Sequence, residues 1–475
     1  MVEDLHELTA LQQWNLLQRG TISPRELVDH YLGRIDALNP QLGAFVTVTP
    51  ERARERAAEV EASVPHSAPL WGLPVGDKDL WRRAGVPAGF GSRLLAGYVP
   101  DESDEIVHDL DAAGAVSLGK TGAPEFGLPS YTETLVAPPV RTPWNLELGA
   151  GGSSGGAAAA VASGMLPFAP GSDGGGSIRI PAAACGVVGL KPSRGRVPSG
   201  SGLESLGGLV VDGPIARTVE DAALLLDGMM ARRNGRIEHR FAVVAPEDDT
   251  AFLGHAVRGE GRYQLGVMTT SAWDLDYEIA LDPDAVAALD RAVEEFVALG
   301  HGIEQTALRP DAGYAPAFTT LWKAGAARIP ADGEALDLLE PLTRWLVEQG
   351  RAIGARELGA ALAALAAYER SFIRQLSSFD AVLTPAVAMT PRPIGWYDTE
   401  DGERNFAQQV QYTPYTSMVN VSGLPAITLP VLQTSDGLPM GVQLIGRPGG
   451  EAVLLALGAQ LQRRLRWQDR RPPVW

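Results

Sequence analysis

Hydrophobic positions along this chain of 475 residues change period several times, and each change marks an element. Leu27, Val28, Tyr31, Leu32 and Ile35 recur at helical spacing behind Ser23-Pro24-Arg25-Glu26, a capping box with proline in the first turn. Residues 4–64 read as helical throughout, with a stop at Asn39-Pro40 and a charged surface helix over 51–62. From 71 onward, short apolar runs alternate with helical patterns. Leu73–Val75 and Ala115–Leu118 predict strands, whereas Glu105–Ala113, Ala157–Gly164 and Thr218–Met230, capped by Thr218, predict helices. The stretch 231–262 is polar and irregular, and 283–300 and 355–377 are amphipathic helices. Strand-like runs return after 379 (AVLTP, AITLPVL, GVQLIG), followed by a last helix over 451–465. This alternation predicts an α/β layer fold whose sheet draws on both halves of the chain. One domain over 1–475 is expected: N-terminal helices over 1–64, a core from 65–230 and 376–475, and a variable insertion over 231–375 that shapes a pocket.

Composition narrows the partners. The chain is 45% hydrophobic and 20% charged, with a net charge of −17. That field repels a phosphate backbone, so nucleic acid is excluded as a natural partner. Cys185 is the only cysteine, so no internal disulfide or cysteine-rich zinc site can form, and the seven histidines make no HxxxH or HxH pair. No metal and no cofactor is expected. The acidic start MVEDLHELTA lacks an apolar core segment, and no run of about 18 apolar residues occurs. A soluble cytoplasmic monomer or homodimer without membrane contact is expected.

The densest chemistry lies in 149–196, where Ser153 in GGSSGG and Ser177 in GGGS stand 24 positions apart with no histidine between them. A serine hydroxyl is a weak nucleophile until a base takes its proton. Lys78 in GLPVGDKDL follows an apolar run that would deliver it into a core. Burial can bring a lysine from about 10.4 to near 7–8, where it is neutral enough to act as a base. Gly174, Gly175 and Gly176 offer successive unobstructed N–H groups, the makings of an oxyanion hole. Two motifs are decoys. GGSSGG fits GxSxG on Ser153 or Ser154, but the preceding NLELGA is polar and turn-like, whereas a nucleophile elbow follows a strand. Gly114–Thr121 satisfies GxxxxGK[ST], yet its intervening residues are strand-like, which speaks against a nucleotide-binding P-loop.

In this order and at these spacings, the Lys78 segment, GAVSLGKT, the serine-glycine stretch and FDAVLTP, NVSGLPAITLP and DGLPMGVQLIG resemble the amidase signature family of serine hydrolases. The resemblance spans nearly the whole chain and is weak over 231–375. It implies the amidase signature fold, a large mixed central β-sheet covered by helices on both faces. It implies Ser177 as nucleophile, Ser153 as a bridging serine behind a cis Gly152–Ser153 peptide, and Lys78 as base. Ser154, Ser172 and Asp173 are implied as supports, Arg179 and Lys191 as structural partners, and Cys185 as a core residue. Asp77 departs from the family, which has an apolar residue there; on a strand it would face away from Lys78. Ala157, Gly149 and Ala150 are further departures that remove no reacting group. The reaction implied is cleavage of small amides, with esters and carbamates sharing the same tetrahedral chemistry. Tyr131, Tyr314, Phe318 and Trp322 are the aromatic candidates for a pocket, of which Tyr131, Phe318 and Trp322 are preferred, and they favour uncharged acyl or aryl amides. The alternatives are an amidotransferase-type subunit that works with partners, disfavoured by Ile180 where such subunits have Gln, and a non-catalytic scaffold.

Overall fold

Val382 and Leu383 are neighbours on one strand and enter different cores. Val382 packs with Ile445, Ala426, Phe372 and Tyr314, while Leu383 packs with Leu444, Ile427, Leu289 and Leu457. A buried sheet with helices on both faces requires this alternation. The chain is described by a computed structural model over residues 4–197, 206–231 and 251–475.

The strands among these residues are β1 (Phe45–Val48), β2 (Pro74–Lys78), β3 (Val116–Thr121), β4 (Arg141–Thr142), β5 (Asn145–Gly149), β6 (Phe168–Asp173), β7 (Val188–Lys191), β8 (Val211–Ala216), β9 (Gln264–Val267), β10 (Gly302–Gln305), β11 (Ala381–Pro385), β12 (Ala426–Gln433) and β13 (Pro439–Gly446). The central sheet has eight strands in the order β10-β9-β11-β13-β12-β7-β8-β6. β9 runs parallel to β10 and β11, and the other pairs are antiparallel, so the sheet is mixed. A separate three-stranded sheet, β1-β3-β2, ends on Lys78. Helices Pro283–Ala298 and Glu451–Leu465 cover one face of the central sheet; Tyr314–Ala326 and Ala355–Leu376 belong to the core on the other. Among the described residues no helix is long and apolar enough to cross a membrane.

Three expectations are corrected. Residues 4–64 are not helical throughout, because β1 interrupts them and pairs with β3. Four residues are too few for a period to stand out. Asn39-Pro40 does not stop the second helix, which runs Pro24–Leu42 and ends at Gly43 in the left-handed region. Pro40 lies in the last turn on the exposed side, and Asn39 caps the exit by bonding both backbone groups of Phe45 (2.7 and 3.0 Å). The stretch 231–375 is not wholly an insertion, since β9 and β10 form one edge of the central sheet. The irregular reading of 231–262 holds the helix Phe252–Arg258, while 232–250 lie outside the described residues.

Candidate active site

The site forms where the two sheets meet. β2 ends by carrying the Lys78 side chain, fully buried, to the end of β6. The Lys78 ammonium nitrogen donates to Ser153 Oγ (2.8 Å), Ser172 Oγ (3.0 Å) and the Ser172 carbonyl (3.2 Å). Burial disfavours the ammonium form and lowers the Lys78 pKa from the usual 10.5 to about 7, although Asp212 and Asp173 pull the other way.

Asp77 does not oppose this. Its side chain leaves the opposite side of β2 and is held by Arg83 (2.5 and 3.2 Å) and Ser117 (2.9 Å). Burial alone would raise its pKa, but the Arg83 guanidinium overrides that and keeps it below the ordinary carboxylate range. Lys120, the P-loop lysine of the decoy motif, is buried on β3 and donates to the Trp81 carbonyl. Gly119, Lys120 and Thr121 are strand residues, so no phosphate-cradling loop exists there.

The peptide Gly152–Ser153 is cis. Residue 152 must be glycine, because a Cβ there would lie 2.8 Å from the Tyr131 backbone. Lys78 reaches Ser153 and not Ser154. Ser154 instead joins the two serine segments, donating its N–H to the Ser177 carbonyl (3.0 Å) and its hydroxyl to the Ser172 carbonyl (3.3 Å). The segment before the first serine is not turn-like as expected. It is β5, but β5 pairs with β4 in a small hairpin and bridges through Leu148 to Pro393, outside the central sheet. The contact from Lys78 to Ser153, with β5 outside the central sheet, sets this arrangement apart from an elbow.

Asp173, at the end of β6, shapes the glycine loop. Its carboxylate accepts from the N–H of Gly176 (2.7 Å) and Ile178 (3.1 Å), from Arg179 (2.9 and 3.0 Å) and from Asn420 (2.9 Å). Burial opposes its ionisation, yet Arg179 and these donors hold its pKa far below the ordinary range. On the other side Thr416 Oγ1 donates to the Gly175 carbonyl (2.6 Å). Gly176 sits at φ +134°, and a Cβ there would come 2.5 Å from Thr416 Oγ1, so only glycine fits.

The Gly176 amide, expected in an oxyanion hole, is therefore committed to Asp173. The amides of Gly174, Gly175 and Ser177 donate to no described residue. Ser153 and Ser177 both line a cavity of ≈520 Å³ whose other walls include Phe126, Leu128, Leu206, Leu209, Leu321 and Trp322. Among the described residues no hydrogen bond joins Ser153 to Ser177.

The aromatic candidates divide. Trp322 lines this cavity, and Phe318 lines a smaller adjoining one. Tyr131 lines neither. It stacks on Tyr397 at 4.0 Å and its hydroxyl accepts from Asn405 (2.8 Å), so it is a support beneath Gly152 and not a pocket wall. Tyr314 is buried behind Phe318 with its hydroxyl 2.8 Å from Ser417 Oγ. Lys191 is buried and donates to the Pro192 carbonyl, and Cys185 is buried with its thiol pushed up to about 12 by desolvation. Asn420, Gln443, Thr416 and Asp212 escaped the sequence reading. Arg179 bonds both Asn420 (2.7 Å) and Gln443 (2.6 Å). Their signal was the dense match in NVSGLP and GVQLIG, which marked segments without assigning side chains.

The amidase family model matches residues 26–455. A protein of Mycobacterium tuberculosis named as an amidase, AmiB2, is 37% identical over 482 residues, covering 99% of each chain. A glutamyl-tRNA(Gln) amidotransferase subunit of Thioalkalivibrio sulfidiphilus is 33% identical over 503 residues, covering 98% of this chain and 99% of that one. A solved structure of 6-aminohexanoate cyclic dimer hydrolase complexed with substrate superposes with a TM-score of 0.89 at 32% identity, over 99% of both chains.

Proposed function

This chain belongs to the amidase signature family and is an amidase, and within that family we propose that it is a serine amidohydrolase for uncharged linear acyl and aryl amides, with esters and carbamates as further substrates. The observation that carries this reading is Lys78: fully buried, depressed to about 7, and 2.8 Å from Ser153 on a cavity that Ser153 shares with Ser177. Neutral Lys78 accepts the Ser153 proton while Ser153 accepts that of Ser177. Rotation of the Ser177 side chain as substrate enters closes the missing hydrogen bond, since such contacts tighten in the substrate complex. Ser177 Oγ attacks the carbonyl carbon, and the amides of Gly174, Gly175 and Ser177 receive the negative oxygen. The C–N bond breaks, Ser153 returns the proton to the leaving nitrogen, and water activated by the same relay releases the acid. These side chains and water carry every step.

Phe126, Leu128, Leu206, Leu209, Leu321 and Trp322 offer apolar contact to an uncharged substituent, and Arg82, Asp104, Glu105, Asp212 and Arg328 line the same cavity. The test is a panel of p-nitroanilides, aryl amides and aryl carbamates, with wild type against Ser177→Ala, Ser153→Ala and Lys78→Ala. Turnover by wild type and none by Ser177→Ala is the expected result. A second reading, a subunit that supplies ammonia to a partner, has the likeness to the amidotransferase chain in its favour. Release of ammonia from glutamine, with no turnover of the panel, would favour it.

A further inference from the structure

Two cavities meet at Ser177, and they differ greatly in size. The larger is ≈520 Å³ and the smaller ≈60 Å³. Ser177, Leu128 and Trp322 line both. The Trp322 ring lies over the glycine loop, its edge 3.7 Å and 3.8 Å from where Cβ atoms on Gly174 and Gly175 would sit, and so divides the two spaces. Ser153 and Ser172 open only on the large cavity, whereas Gly175, Phe318 and Trp273 open only on the small one.

Resting on the reading of Ser177 as nucleophile and Ser153 as proton donor, we propose that these cavities sort the two sides of the scissile bond: a short acyl group enters the small chamber and a bulky amine occupies the large cavity. The path of the proton decides the orientation. As the Ser177 Oγ–C bond forms and the C–N bond breaks, the proton taken from Ser177 must reach the leaving nitrogen through Ser153. Ser153 faces only the large cavity, so the nitrogen and its substituent lie there. The carbonyl oxygen turns to the loop amides, and the remaining substituent, the acyl chain, points past Gly175 into the small chamber.

Size then sets the substrate. A water needs about 10–15 Å³, so the small cavity, itself partly open, holds on the order of four non-hydrogen atoms beside Ser177. The large cavity falls within the range of sites for whole drug-sized molecules. The chamber wall is held in place: Phe318 stacks on Trp322 (5.6 Å), Trp273 meets Phe318 edge-on (5.4 Å), and Trp273 Nε1 donates to Ser417 Oγ (3.0 Å). A packed aromatic wall gives way reluctantly to added methylenes.

The test compares N-acetyl-, N-propionyl- and N-octanoyl-p-nitroanilide, with octanamide as the reverse case of long acyl and small amine. Wild type is expected to favour acetyl or propionyl over octanoyl by at least about tenfold in kcat/KM. Trp322→Ala joins the chambers and is expected to narrow that ratio by about tenfold. Phe318→Leu shifts it in the same direction and serves if Trp322→Ala does not fold. An octanoyl substrate equal to or better than acetyl, a ratio unmoved in both variants, or octanamide cleaved faster than acetanilide would overturn the assignment. A fluorophosphonate probe separates the two levels. Labelling of Ser177 with the reversed chain-length order overturns the chambers alone, while no labelling and no turnover overturns the underlying reading as well.

Discussion

Lys78 sets the pH behaviour of the whole scheme. In the proposed mechanism its neutral form is the base, and its pKa is about 7, so kcat/KM is expected to rise with pH through that value and to fall as Lys78 protonates below it. A pH–rate profile with no limb near 7 would contradict this assignment. Stability moves in the same direction as activity. Lys78 is depressed from the usual 10.5, so between 10.5 and 7 the unfolded chain binds a proton that the folded one does not. The fold loses stability as pH falls across that window, and the cost is at its full size below 7. Lys78→Met is therefore expected to be inactive yet more stable, by on the order of a few kcal/mol at pH 6 and by less at pH 10, read by thermal melts at both. For Ser153→Ala, kcat is expected to fall by about 10²–10⁴ with little change in KM. At this scale the sequence was most informative. Lys78, Ser153 and Ser177 stand in contiguous motifs whose chemistry can be named from the residues alone. The resemblance named Ser153 over Ser154, and Lys78 lies 2.8 Å from Ser153 Oγ. Tyr131 misled because closeness in sequence to the serines says nothing of its stacking on Tyr397.

At the scale of elements, the glycine loop is shaped from outside itself. Asp173 and Arg179 belong to the motif, but Asn420 and Gln443 reach them from 241 and 264 positions away. No periodicity encodes such pairs, so the clamp was invisible while the loop was plain. Asn420→Ala removes donors to both the Asp173 carboxylate and its carbonyl, and leaves Arg179 with one acceptor fewer. A loss of about 1–3 kcal/mol is expected, with kcat lowered more than KM is raised, because the loop amides act on the developing charge. Unchanged kcat in a folded Asn420→Ala would show that the loop holds its shape without the clamp. Arg179→Met is expected to be harsher, about 3–5 kcal/mol, because it strands the Asp173 charge in the core. The same limit hid β1 and carried the second helix past Pro40: four residues are too short for a period, and a proline in an exposed last turn costs little.

Across the whole molecule, the site depends on two sheets meeting. Lys78 comes from the three-stranded sheet, and the serine segments come from around the edge strand of the eight-stranded one. The layer class and the joining of both chain halves were legible in the alternation of runs. The place of 231–375 was not, because β9 and β10 are short and one of them is half polar. Since they form the sheet edge, excising 259–305 is expected to abolish the folded state by circular dichroism, whereas removal of a true insertion would leave a cooperative melt. The central claim is that Ser177 carries the acyl group. The most direct measurement is mass spectrometry of the protein after brief exposure to a p-nitrophenyl carbamate, with the adduct mapped by peptide analysis. A single acyl adduct on Ser177, lost in Ser177→Ala and slowed in Lys78→Ala, is the predicted result. An adduct on Ser153 or Ser154, or one that persists in Ser177→Ala, would contradict it.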